Sequence, residues 1–133
     1  MGNGKRKREC VVPKILIVDD DPDIVEACCL VLEREGYEVE SAPSRAAGMK
    51  KIEEVTPDLL ILDVMMEEPD DGLRMAREIR KAGHTLPIIM LTSVNAAMGL
   101  NIDKDEEMVP VEEFQPKPVD PQTLIAKVKK LLP

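Results

Sequence analysis

Carboxylate side chains follow two strongly apolar runs of the sequence, at the point where each run ends. Asp19 and Asp20 come after the run of residues 15–18, and Asp63 comes after the run of residues 59–62. Carboxylates crowded together repel one another unless a cation neutralises them. Mg²⁺ is held by one or two carboxylates together with waters and phosphate oxygens. If the two runs are neighbouring strands, these residues predict a divalent-metal site.

A hydroxyl and a lysine complete a set of groups that suits phosphoryl chemistry. Thr92 follows a third apolar run, residues 87–91, and Lys117 follows a possible short strand at residues 111–115. Cationic groups stabilise the charge of a transferring phosphoryl group, so these side chains together with a metal suit phosphoryl chemistry. The competing interpretation is structural, because a lone aspartate after a strand usually caps a helix or forms a turn.

Alternating apolar runs and amphipathic stretches must position these side chains. The fully apolar runs predict strands that are buried on both faces, as in a parallel sheet with helices on both sides. The predicted strands are residues 15–18, 37–42, 59–62, 87–91 and 111–115, and the predicted helices are residues 22–35, 44–55, 72–82 and a last helix from residue 120. In such a sheet the carboxyl ends of the strands meet at one edge, where ligands bind.

Four segments in the correct order resemble the receiver domain of two-component response regulators. Residues 15–22 read Ile-Leu-Ile-Val-Asp-Asp-Asp-Pro, residues 59–66 read Leu-Leu-Ile-Leu-Asp-Val-Met-Met, residues 89–93 read Ile-Met-Leu-Thr-Ser, and residues 117–118 read Lys-Pro. The resemblance implies a doubly wound, flavodoxin-like sheet of five parallel strands in the order 2-1-3-4-5. It also implies an aspartate that takes a phosphoryl group from a histidine kinase or a phosphotransfer protein.

The resemblance assigns a role to each member of the acidic set. Asp63 is expected to be the phosphoacceptor. Asp20 is expected to ligate Mg²⁺ directly, with Asp19 acting mainly through a bound water and the main-chain carbonyl of Met65 completing the protein ligands. Such a domain is a signalling module and not an enzyme acting on other substrates, because it catalyses only its own phosphorylation and slow autodephosphorylation.

The resemblance also assigns roles to the groups around the phosphoacceptor. Thr92 is expected to hydrogen-bond the phosphoryl oxygens, and Lys117 to pair first with the acceptor carboxylate and then with phosphate. Phe114 takes the position of the aromatic switch residue, and the peptide between Lys117 and Pro118 is expected to be cis. Met65 and Val94 are apolar at two positions that modulate attacking water, so we predict a phosphorylated lifetime of many minutes or more.

Two loops depart from the family pattern. Gly72 lies nine residues after Asp63, whereas in the family the corresponding glycine usually lies eight residues after the phosphoacceptor. Gly99 interrupts the segment of residues 95–110, and no apolar stripe extends beyond two turns there. We predict a shortened or irregular fourth helix in that segment. Because this helix belongs to the face by which receivers usually dimerise, we expect a monomer that signals through an unknown downstream protein partner.

The same stretch carries an EF-hand-like spacing of acidic residues as a weaker alternative. Asn101, Asp103, Asp105 and Glu112 fall at positions 1, 3, 5 and 12 of such a loop. Glu106 stands where that loop needs glycine, so a solvated acidic loop is the favoured interpretation.

The charge of the chain excludes several classes of function. The 133 residues carry a net charge of −8, and removing the four positive charges of residues 5–8 leaves −12 for the rest. We expect a basic tail at residues 1–12, a receiver domain at residues 13–133, and no direct nucleic-acid binding, which needs clustered Lys and Arg.

No apolar stretch reaches the length of a membrane span, so we expect a cytoplasmic protein. Cys28 and Cys29 are expected to be reduced residues of a core helix.

Two functions from other classes compete with the phosphoacceptor. The first is a phosphorylation-independent interaction module on the same fold, which need not retain the five groups Asp19, Asp20, Asp63, Thr92 and Lys117. The second is a haloacid dehalogenase-type hydrolase, which needs an aspartate where Met65 stands. Because the chain ends directly after the last predicted helix, a regulator acting by partner binding and a fragment of a longer regulator both remain open.

Overall fold

Five parallel strands form one sheet in the computed structural model, which describes residues 12–63, 71–92, 111, 113–116 and 119–132. The strands are β1 (Lys14–Val18), β2 (Glu38–Ala42), β3 (Leu59–Asp63), β4 (Ile88–Thr92) and β5 (Glu113–Pro116). They lie in the order β2-β1-β3-β4-β5, and every neighbouring pair is parallel. The predicted fold class and strand order are confirmed.

Helices cover both faces of this sheet. The described helices are α1 (Pro22–Arg34), α2 (Arg45–Val55), α3 (Asp71–Lys81) and α4 (Pro121–Leu131). Residues 15–18, 59–62 and 88–91 are fully buried, and alternate residues point to opposite faces. One face forms a core with α2 and α3 that includes Met75 and Ile79. The other forms a core with α1 and α4 that includes Leu32 and Val128. The apolar runs are therefore strands buried on both sides, as predicted.

Side-chain caps fix where three helices begin. Asp21 caps α1 by accepting a hydrogen bond from the Asp23 amide at 3.0 Å, and proline follows at the first helical position. Asp120 caps α4 in the same way, accepting from the Thr123 amide at 2.9 Å. Ser44 accepts from the Ala47 amide at 3.2 Å at the start of α2. Each cap satisfies a backbone donor that has no partner within its helix.

Gly48 lies where α2 packs most closely against the sheet. A Cβ atom at this position would lie 2.8 Å from Met75 Cε and 2.9 Å from Val18 Cγ2. Gly48 lowers the helix propensity of α2, but the close packing of β1, α2 and α3 requires a glycine at this position.

The two cysteines of α1 belong to the core, as expected. Cys28 is buried and Cys29 is half-buried. Burial raises the pKa of the Cys29 thiol, and the charge of Glu33 raises it further. A raised pKa keeps a thiol protonated and therefore poorly nucleophilic.

Several predictions concern residues outside the described part of the chain. They are the basic residues 5–8 of the tail, the irregular helix of residues 95–110, the EF-hand-like spacing at Asn101, Asp103, Asp105 and Glu112, and the cis peptide at residues 117–118. Among the described residues, no helix has both the length and the apolar character that crossing a membrane requires.

Candidate functional site

The pairing of β1 with β3 brings the acidic residues together. Val18 lies opposite Leu62 in this parallel pair, so Asp19 and Asp63 follow at the same level of the sheet. The backbone amide of Asp19 donates to the Ala42 carbonyl at 3.1 Å, which ties this strand end to β2 as well. The two aspartates are placed by the strands themselves.

Three carboxylates form a compact cluster at this edge. Ligand oxygens of Asp19, Asp20 and Asp63 all lie within 4.8 Å of one another. Asp19 is 1% exposed and Asp63 is 3% exposed, while Asp20 is open to solvent. The Asp21 amide donates to Asp19 Oδ1 at 2.9 Å, which orients the Asp19 carboxylate. Asp21 itself serves as the α1 cap, so the third aspartate of the run is structural.

This donor set fits a hard divalent cation. The cluster consists of carboxylate oxygens, the ligands that Mg²⁺ and Ca²⁺ prefer. Removing two carboxylates from water at short separation is costly unless positive charge compensates them. The exposed carboxylate of Asp20 leaves the cluster accessible from solvent.

Thr92 lies one residue beyond Asp63 on the neighbouring strand. Asp63 pairs with Leu91 across β3 and β4, and Thr92 directly follows at the end of β4 with 2% exposure. On its other side Thr92 pairs with Pro116, the last residue of β5. Lys117 and Met65 lie outside the described residues, so their assigned roles stay predictions.

Phe114 occupies the middle of β5, opposite Met90. Its half-buried ring packs against the core on the α2 and α3 face. Its backbone carbonyl accepts a hydrogen bond from the Lys127 ammonium of α4. The sequence carries no signal for the role of Lys127, because the contact depends on how α4 packs against β5.

An open groove of about 480 Å³ adjoins the carboxylates. The start of α1 and the loop after β2 form its walls, and its lining includes Asp20, Glu26, Ser41 and Pro43. A group approaching Asp20 from solvent would pass over this groove.

Comparisons with known proteins agree with the fold. The family model for the response regulator receiver domain matches residues 15–129. The chain is 36% identical over 123 residues to the alkaline phosphatase synthesis transcriptional regulatory protein PhoP of Bacillus subtilis, covering 90% of this chain and 48% of PhoP. It is 33% identical to the DNA-binding dual master transcriptional regulator RpaA of Synechocystis, covering 91% of this chain and 49% of RpaA.

Solved structures show the same architecture. A putative response regulator from Chloroflexus aurantiacus is 32% identical with a TM-score of 0.79, and the match covers 92% of this chain and 98% of that one. Chemotaxis protein CheY4 of Vibrio cholerae is 25% identical with a TM-score of 0.80, and the match covers 91% of this chain and 99% of that one.

The chain spans about half the length of the curated relatives it matches. Its family model covers nearly all of the sheet and of the helices described above. The chain therefore belongs to the receiver domains of two-component response regulators.

Proposed function

We propose that Asp63 is the phosphoacceptor of this receiver domain and that Mg²⁺ binds between Asp19, Asp20 and Asp63. The observation that carries the proposal is the approach of these three carboxylates to within 4.8 Å, with two of them almost fully buried. Helix caps and turns alone do not account for this cluster, because Asp21 already caps α1.

The side chains of Asp19, Asp20 and Asp63 would hold the metal, and the resemblance adds the main-chain carbonyl of Met65. When bound, Mg²⁺ neutralises the carboxylates and attracts the oxygens of an incoming phosphoryl group. The Asp21 amide holds the Asp19 carboxylate in place at 2.9 Å before any ligand arrives. This preorganisation leaves less reorganisation to occur during the reaction.

The reaction is a transfer between two proteins. An Asp63 carboxylate oxygen forms a bond to phosphorus as the bond from phosphorus to the imidazole nitrogen of the donor histidine breaks. The electron pair of that bond stays on the nitrogen, which takes up a proton and leaves as neutral imidazole. The Thr92 hydroxyl donates to one phosphoryl oxygen, and the Lys117 ammonium pairs with another, which together spread the negative charge over fixed donors.

The partners follow from this role. Receiver domains of response regulators interact with histidine kinases, and we propose a histidine kinase or phosphotransfer protein as donor and a downstream protein as reader. Two relatives are named as transcriptional regulators, one of them as DNA-binding. We propose that residues 13–133 form a cytoplasmic signalling domain without direct nucleic-acid contact, because the chain beyond residue 8 is strongly acidic.

Intact-mass measurement tests the phosphoacceptor. The chain is incubated with Mg²⁺ and a small phosphodonor, and we expect one stable phosphoryl adduct that disappears when Mg²⁺ is chelated. Asp63→Asn should abolish the adduct. The matched control is Asp58→Asn, which changes an aspartate at the opposite end of the same strand and should leave the adduct intact. No adduct in the wild-type chain would support a phosphorylation-independent interaction module, and rapid donor turnover would support a hydrolase.

A further inference from the structure

The strand β5 is attached to the sheet along one side only. It lies at the edge, beside β4, and it has four residues where each of the other described strands has five. Its last residue, Pro116, pairs with Thr92 at the end of β4. The proposed function places the Thr92 hydroxyl at the phosphoryl oxygens. The position of β5 therefore bears on a residue of the phosphoryl site.

The last two residues of β5 hold it in place poorly. Gln115 is 2% exposed, and its Oε1 atom has no hydrogen-bond partner in the described part of the chain. Burying an unpaired amide oxygen costs free energy. Pro116 has no amide hydrogen to donate to the ladder of the sheet. Contacts between β5 and other elements must therefore contribute more to fixing this strand.

Two lysines of α4 supply such contacts. Lys127 and Lys130 are three positions apart, so they lie on one face of the helix. The Lys127 ammonium donates to the main-chain carbonyl of Phe114. Lys130 Nζ donates to Glu113 Oε2 at 2.8 Å. Successive residues of β5 are thus joined to successive turns of α4.

The two lysine contacts differ in what they hold. Lys130 is 68% exposed and pairs with a side chain, and such exposed ion pairs add little to stability. Lys127 is half-buried and binds the main chain, and a hydrogen bond from a charged donor is stronger than one between neutral groups. The Phe114 carbonyl cannot move without moving the strand, so the Lys127 contact fixes β5 itself.

The helix α4 gives this contact a firm support. Leu124 and Val128 lie on adjacent turns of α4 and are buried in the core that α4 forms with α1 and the sheet. The side chain of Asp120 caps its first turn. Lys127 directly precedes Val128, so its backbone is held by the same packing.

We propose that Lys127 is a positioning residue of the phosphoryl site. Its ammonium holds the Phe114 carbonyl and thereby keeps the end of β5 in place beside Thr92. This role rests on the proposed function, because it affects activity only if a phosphoryl group is accepted next to Thr92. The carboxylate cluster lies at the ends of β1 and β3, whereas β5 pairs with β4. Loss of the contact should therefore lower the reaction rate without weakening Mg²⁺ binding.

Fluorine NMR tests the position of Phe114 without any phosphorylation. Phe114 is the single phenylalanine of the chain, so incorporation of para-fluorophenylalanine gives one fluorine signal. Lys127→Met removes the ammonium and keeps an apolar stem, and it should shift or broaden that signal. Lys127→Arg restores a cationic donor and should keep the signal close to its wild-type position. The matched control Lys130→Met removes the same charge from the same helix face and should leave the signal unchanged.

Two results of this experiment would overturn the proposal. One is an unchanged signal in Lys127→Met, and the other is an equal change in both methionine variants. Urea unfolding establishes that each variant is folded. Should Lys127→Met not fold, Lys127→Gln takes its place, with the same shift expected.

The rate of phosphorylation tests the consequence for the reaction. Adduct formation is followed by intact mass at saturating phosphodonor over a range of Mg²⁺ concentrations. Lys127→Met should lower the maximal rate by about tenfold, since small misplacement of groups around a reacting centre costs up to about 100-fold. The Mg²⁺ concentration that gives half of the maximal rate should stay within about twofold of the wild-type value, because Lys127 lies away from the carboxylates. Lys127→Arg should restore most of the rate, and Lys130→Met should match the wild-type chain.

The outcomes separate this role from the proposed function. A wild-type chain that forms no adduct would refute the proposed function and, with it, the role of Lys127 in the reaction. An adduct that Lys127→Met forms at the wild-type rate would refute the positioning role alone. A lower rate that excess Mg²⁺ restores would also refute it, because the defect would then lie in metal binding.

Discussion

The two ends of the sheet are both acidic, but they handle their carboxylates differently. At the carboxyl end Asp19 and Asp63 are buried beside each other, with exposed Asp20 completing the cluster. At the amino end Glu53, Glu54 and Asp58 are exposed. Glu53 pairs with His84, and Asp58 accepts a hydrogen bond from the Lys14 amide. Water screens exposed charges and does not reach buried ones. A cation would therefore stabilise the carboxyl end far more than the amino end.

The strongest test of this difference is the effect of one aspartate substitution on phosphorylation. Asp20→Asn should lower the Mg²⁺-dependent rate of adduct formation by about 100-fold, because loss of groups around a metal costs 10–100-fold or more. Asp58→Asn should leave the rate within about twofold, because surface changes away from a site have small effects. The rate is measured by intact mass over a range of Mg²⁺ concentrations. Excess Mg²⁺ should partly rescue Asp20→Asn if the defect is in metal binding, and no Mg²⁺ dependence in either protein would refute the metal assignment.

The next effect is on stability. Mg²⁺ at tenfold its Kd should raise the free energy of unfolding by about 1.4 kcal/mol, because only the folded chain assembles the three carboxylates. Without Mg²⁺, Asp63→Asn should be more stable than the wild-type chain, since it relieves repulsion inside a buried cluster. Urea unfolding with and without Mg²⁺ measures both effects.

Asp58→Asn is the control for that experiment, since it removes a carboxylate from the other end of β3. Its response to Mg²⁺ should equal that of the wild-type chain. If Asp58→Asn lost the Mg²⁺ effect and Asp63→Asn kept it, the metal would have to lie at the amino end.

The parts of the structure that were predictable from sequence depend on local signals. The runs at residues 15–18 and 59–62 are apolar throughout, so their burial and the position of Asp63 at a strand end could be inferred directly. Asp21 and Asp120 each precede a proline, and both proved to be helix caps. The resemblance to receiver domains then placed the acidic residues in one site.

The parts that were missed depend on distant contacts. The contacts of Gly48 with Val18 and Met75 come from two other elements, so the position of this glycine along α2 does not reveal them. Met75 is fully buried beside Ala76, and its terminal methyl group lies against Gly48 of α2. The Lys127 contact to β5 and the pairing of His84 with Glu53 likewise require the packed fold. Spacing along one element does not encode such contacts.

Acid should weaken a contact at the carboxyl end of the sheet. Hydrogen bonds from the Thr123 side chain and amide lower the pKa of Asp120 below its usual 3.8. A carboxylate with a lowered pKa stabilises the folded state above the unfolded pKa, and this contribution is lost as pH falls through the folded value. The advantage of the wild-type chain over Asp120→Asn, measured by urea unfolding, should therefore be present at pH 6 and shrink below about pH 4. If the stability difference between the wild-type chain and Asp120→Asn grew as pH fell, the ionised Asp120 carboxylate would not be the stabilising group.

Alkali should weaken a contact near the amino end, with the smallest effect of the series. The hydrogen bond to Glu35, supported by the charge of that carboxylate, raises the pKa of Lys129 above its usual 10.5. This ion pair of 2.9 Å joins α4 to the residue that ends α1. A cation with a raised pKa stabilises the folded state below the unfolded pKa, and the contribution is lost as pH rises through the folded value. The stability difference between the wild-type chain and Lys129→Gln should thus be constant from about pH 7 to 9 and decline above about pH 10.5. Both side chains are solvent-accessible, so added salt should reduce this difference in unfolding free energy at neutral pH. The stabilisation by Mg²⁺ at the other end of the sheet should be far less sensitive to salt, because Asp19 and Asp63 are buried.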